Sequence, residues 1–92
     1  MSQDQEPLNV FSLLTIMLEQ CASIAWQKMG LQPDPVTGQI HRDLNQAKVA
    51  IDVAANLGDH LKGNLDDDDR RQLQSLIRDL QINFVEKQKE SI

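Results

Sequence analysis

Aromatic residues are nearly missing from this chain: Phe11, Trp26 and Phe84 are all it carries, with no tyrosine, 3% of 92 residues. Strands favour aromatic and β-branched side chains, so the scarcity argues for helices packed through Leu, Ile, Val, Met and Ala. Cysteine is as scarce. Cys21 stands alone, which excludes an internal disulfide, and with no signal-peptide pattern ahead of it the expected compartment is a reducing cytoplasm. Clustered positive charge is lacking too: 9 Lys and Arg against 14 Asp and Glu give a net charge of −5. No basic run exceeds a pair, which disfavours nucleic acid and anionic membrane surfaces as partners. There are no internal repeats and no low-complexity linker. A chain of 92 residues makes one domain with a thin core, which oligomerisation commonly supplements.

Signatures of chemistry are missing as well. The chain has no P-loop, no G-x-S-x-G, no H-E-x-x-H and no dinucleotide fingerprint. His41 and His60 have no His, Cys or carboxylate at a zinc-ligand spacing. Cys21 lies within an apolar row without a neighbouring base, the setting of a small buried hydrophobe. Asp66 to Asp69 are consecutive, whereas a calcium loop alternates its acids, and Arg71 and Ile77 stand where such a loop needs glycine and glutamate. The expectation is a non-enzymatic protein with no catalytic residue, no metal and no cofactor.

Helical periodicity is what the sequence does contain. In the central stretch Leu44, Ala47, Ile51, Ala54, Gly58 and Leu61 step by three and four, and Ala50 and Leu57 widen the row. Its small members, Ala47, Ala50, Ala54 and Gly58, invite close helix approach. Asp43 is a good N-cap with Gln46 three residues on, and Gly63 is the stop. Ahead of it, Val10 to Met29 is the most apolar segment, with Asn9 or Ser12 as candidate cap and Gly30 as its end. Between the two helices, Pro35 and Gly38 set a turn, with Leu31 and Ile40 pinning the connection. After Leu65, which plugs the second turn, Asp66 to Asp69 open a third helix whose stripe is Leu73, Leu76, Ile77, Leu80 and Phe84. Acids first and Lys87 and Lys89 last is the order the helix dipole favours.

These elements predict an all-α fold, an antiparallel three-helix bundle or a hairpin with a packed extra helix, as a single domain over residues 8–87 with disordered tails at 1–7 and 88–92. Two readings stay open at Asp52: a surface pair with Lys48, or a bond to Arg78 or Asn83. Trp26 is either a rim residue over the first loop or an anchor in a subunit contact.

The first helix carries more apolar surface than one neighbour needs. Val10, Leu14, Met17, Cys21 and Ile24 form one row; Phe11, Leu18, Ala22, Ala25 and Met29 form another. Period alone leaves open which row faces inward. With the Val10 row inside, the interface candidates are Phe11, Leu18, Ala22, Ala25, Trp26 and Met29, and the chain is expected to be a homodimer assembling through helix 1. A membrane span is not expected, because Glu19, Gln20, Gln27 and Lys28 interrupt the apolar run.

In their order and spacing, Met29-Gly30 followed by Pro35-Val36-Thr37-Gly38, then Asp43-Leu44-x-x-Ala47-Lys48-x-x-Ile51-Asp52, then Lys62-Gly63-Asn64-Leu65 ahead of the acids, and Asp79-Leu80 with Phe84-Val85, resemble a family of short bacterial proteins, domain of unknown function 1844. The resemblance covers residues 8 to 87. It departs at Gln81, where the family carries arginine, and at Leu61-Lys62, where it carries Lys-Thr. The resemblance implies a helical, cytoplasmic, bacterial protein and supplies no activity. The reading that follows is a self-associating interaction or scaffold module whose partners are a second copy and an unknown protein; the alternative is a peripheral membrane protein using the apolar face of helix 1.

Overall fold

The computed structural model describes residues 7–90 and contains three α-helices, with no strand among the described residues: α1 (Val10–Lys28), α2 (Leu44–Leu61) and α3 (Asp67–Glu90). The caps follow the sequence. Asn9 holds the start of α1, its carboxamide oxygen accepting from the backbone N–H of Phe11 at 2.8 Å and of Ser12 at 3.4 Å. Met29 ends the helix in right-handed geometry, and Gly30 takes φ +83° just beyond it, which a side chain would resist. Asp43 caps α2 by accepting from Gln46 N at 3.1 Å, while the Gln46 amide returns a bond to its carboxylate at 2.9 Å. Asp66 caps α3 through Asp69 N at 2.8 Å. A short 3-10 turn (Lys62–Asn64) joins α2 to Leu65, whose partly buried side chain closes the connection.

α1 lies along α2, and α3 rests mainly on α2 with a narrow contact to α1. The core has two centres. Residues late in α1 meet residues early in α2 in the first, where Ala22, Ala25 and Met29 pack with Ala47, Ile51 and Leu80 of α3. In the second, Leu18 packs with Ala54, Leu57 and Leu61, and Leu14, Cys21, Leu73 and Leu76 surround them. Small side chains meet small side chains along this seam, which brings the two backbones close.

That seam corrects the premise that the Val10 row of α1 faces inward. Leu18, Ala22, Ala25 and Met29 are buried within the chain itself. Ala22 and Ala25 complement the alanines of α2, whereas the row of Val10, Leu14, Met17, Cys21 and Ile24 has no alanine to meet them. Of the interface candidates named above, only Phe11 is exposed, and Trp26 is half-buried against the first centre. α3 also runs to Glu90, past the expected end at residue 87. Glu90 accepts from Arg42 at 2.9 Å and from Lys87 at 3.3 Å, which holds the last turn.

Candidate functional site

Two arginines that carry no sequence motif tie the helix ends together. Arg42 donates from Nε to the Met29 carbonyl at 3.3 Å and from its guanidinium to Glu90 at 2.9 Å, joining the ends of α1 and α3 ahead of α2. At the opposite end Arg70 donates to the carbonyls of Lys62 at 3.1 Å and Leu65 at 2.9 Å and pairs with Asp67 at 2.8 Å. Fork-shaped guanidinium groups suit such multiple acceptors, and carbonyls left over at a helix end need donors.

Three of the four acids that open α3 are occupied in the same way. Asp66 caps α3, Asp67 pairs with Arg70 and Asp68 with Arg71 at 3.3 Å. Among the described residues no group of His, Cys, Asp and Glu side chains gathers as a metal site would require. Asp52 pairs with Lys48 at 2.9 Å on the surface, the first of its two readings, while the Asn83 amide donates to the Asp79 carbonyl of its own helix. In the first loop Asp34 accepts from Val36 N at 2.7 Å and Thr37 N at 3.3 Å, and Gly38 takes φ +71°. The Val36 bond, chiefly, holds the Asp34 carboxyl below the usual aspartate range; the Arg42 bond does the same for Glu90. Among the described residues no polar or charged side chain is buried.

The distinctive surface is apolar. Val10, Leu13, Ile16, Met17 and Ile24 of α1 are exposed, with Met17 at 39% and Ile24 at 46%, and Val49 and Val53 of α2 are exposed as well. Leu14 and Cys21, half-buried, bridge the α1 strip to the core. Between Val10 and Gln27 the only charged residue is Glu19, and it lines a cavity with Leu61, Asp69 and Leu73, on the side where α3 lies. By length and composition α1 is long and apolar enough to cross a bilayer. In this fold, however, Leu18, Ala22, Ala25 and Met29 are occupied by α2. Between α2 and α3 runs a shallow groove, with one cavity of about 420 Å³ lined by Gly58, Asp59, Leu73, Ile77 and Arg78 and a smaller one by Lys48, Ile51, Phe84 and Val85.

A small all-α protein with three helices, a wholly apolar core and an uncharged apolar strip on its first helix is the class that fold and surface define. Residues 11–86 match the family model for domain of unknown function 1844, and the chain belongs to that family. No curated protein and no solved structure matches the chain.

Proposed function

We propose that this protein is a non-enzymatic, cytoplasmic, self-associating helical module whose second copy covers the exposed strip of α1. The observation that carries this reading is the strip itself: Val10, Leu13, Met17 and Ile24 stay accessible on one side of a helix whose other side fills the core. Contiguous apolar surface of this kind marks interaction sites. At ~25 cal/mol per Å², removing a few hundred Å² from water is worth several kcal/mol before association costs. That is a large addition for a chain in which, among the described residues, the only large side chains under 2% exposed are Met29 and Leu80.

A membrane surface is the other occupant the strip could take. Interfacial helices usually flank their apolar face with Lys and Arg. Here Lys28 is the one cation of α1 and sits at its end, and the chain is acidic overall, which favours the protein partner. A full span would strip Leu18, Ala22, Ala25 and Met29 away from α2 and dissolve the core.

Thermal melting over a hundredfold range of concentration tests the reading. Self-association predicts a melting temperature that climbs with concentration, because mass action stabilises the assembled state. A constant melting temperature, with protein co-sedimenting with lipid vesicles, would replace it with the membrane alternative.

A further inference from the structure

The layer formed by α1 and α2 has two faces, and α3 covers one. Going round each helix at about 100° per residue locates the other. On α1, Glu19 and Thr15 point to the α3 side, Leu18, Ala22 and Ala25 meet α2, and Met17, Ile24 and Val10 follow on the far side. On α2, Lys48, Asp52 and Asp59 line the groove with α3, Ala47, Ala54 and Leu61 pack in the core, and Val53 and Val49 lie beyond them, also on the far side. Val10, Met17 and Ile24 of α1 and Val49 and Val53 of α2 therefore share the one face of the layer that α3 leaves open, while Ile16 lies on the outer edge of α1.

We infer that a second copy of this chain seats on that whole face, so that Val49 and Val53 of α2 are interface residues together with the α1 strip. The assembled core is then two α1–α2 layers stacked face to face, with both α3 helices outside. This rests on the self-association reading above and extends it to α2.

Charge is the first argument for a second copy as occupant. The chain carries a net charge of −5, so two copies repel unless their acids lie elsewhere. They do: the mid-helix carboxylates of α2, Asp52 and Asp59, and Glu19 of α1 all lie toward α3. The open face presents valines, Met17, Ile24, Gln46, the imidazole of His60 and, at the end of α1, the Lys28 ammonium in place of carboxylates. An isologous contact needs a patch that tolerates its own image, and an apolar patch without carboxylates, its α1 cation at the helix end, does.

Area is the second argument. Two helices roughly 27–28 Å long and side by side, each about 10 Å wide, have a footprint on the order of 500 Å². Paired with its copy over its full extent, such a face removes ~1,000 Å², the lower bound for a specific interface. The α1 strip alone offers about half of that.

Sedimentation velocity on the full chain and on Val53→Lys, Val49→Lys, Met17→Lys and Ile82→Lys tests the inference, with circular dichroism on each. Ile82 is exposed on α3 and serves as the control outside the face. The expected result is a dimer for the unmodified chain and for Ile82→Lys. The other three should dissociate at least tenfold more readily with helix content unchanged. Should Val53→Lys lose helix content, Val49→Lys, at the more exposed of the two valines, decides the matter. Dimers of native strength for both α2 variants, with Met17→Lys monomeric, would overturn the α2 contact and leave self-association through α1 standing. A monomeric unmodified chain would overturn both.

Discussion

Asp66 shows how much a single side chain does at the third helix. Its carboxylate accepts from Asp69 N at 2.8 Å, and its carbonyl from Arg70 N at 2.9 Å. Asp66→Ala removes the cap and is expected to cost about 0.5–2 kcal/mol in urea unfolding. This cap was legible from sequence because aspartate ahead of acids and an apolar stripe has a local meaning. Arg42 and Arg70 were not, since their partners are carbonyls at helix ends that only the fold brings within reach. Glu90 adds a pH dependence. Its carboxyl is held below its ordinary value of 4.5, by Arg42 first and then Lys87. A lowered folded value stabilises the fold above the ordinary value, and that contribution disappears as pH falls through the lowered one. Asp34 acts in the same sense from its ordinary 3.8. Melting of Glu90→Gln against the unmodified chain should therefore show a small deficit at pH 7 that closes as the pH falls through the lowered Glu90 value. A deficit that persists unchanged at pH 2 would show that the Arg42–Glu90 contact is not the source.

At the scale of the helix, the periodic rows were legible and their facing was not. α2 could be read almost completely: its cap, its stripe and its small residues all lie where the spacing put them. α1 has two apolar rows at the same period, and a period cannot choose between them. The choice rests on packing, because the alanines of one row match those of α2. The hint was present in the small residues themselves: a stripe containing Ala47, Ala54 and Gly58 asks for an equally slim partner, and Ala22 and Ala25 supply it. Gly58 tests the packing. A Cβ placed there meets Leu73 at 3.5 Å and Leu18 at 3.7 Å, ordinary contact distances. Gly58→Ala should thus gain up to ~1 kcal/mol of helix propensity, while Gly58→Leu, with no further room, should lose about 1–3 kcal/mol by overpacking. A destabilising alanine in denaturant titration would mean that the seam between Leu73 and Leu18 is tighter than described.

For the molecule as a whole, the shape is thin for its mass. The Cα radius of gyration is 15.4 Å, where a compact chain of this length has about 12 Å. The accessible surface is 6524 Å², against about 5,400 Å² for a compact monomer of this size. Its shortest dimension is 18 Å, the thickness of two helix layers about 10 Å apart, with α3 on one side of the α1–α2 layer and none of the described helices on the other. The sequence pointed to excess apolar surface on α1 through composition and period; it could not point to Val49 and Val53, which become part of the same face only once α1 and α2 lie side by side. Covering that face with a second copy accounts for the thin core, the uncharged strip and the placement of the acids together. Static light scattering of the unmodified protein at tens of micromolar tests this most directly. The account predicts a particle of twice the 10.4 kDa chain mass, and a particle of 10.4 kDa would contradict it.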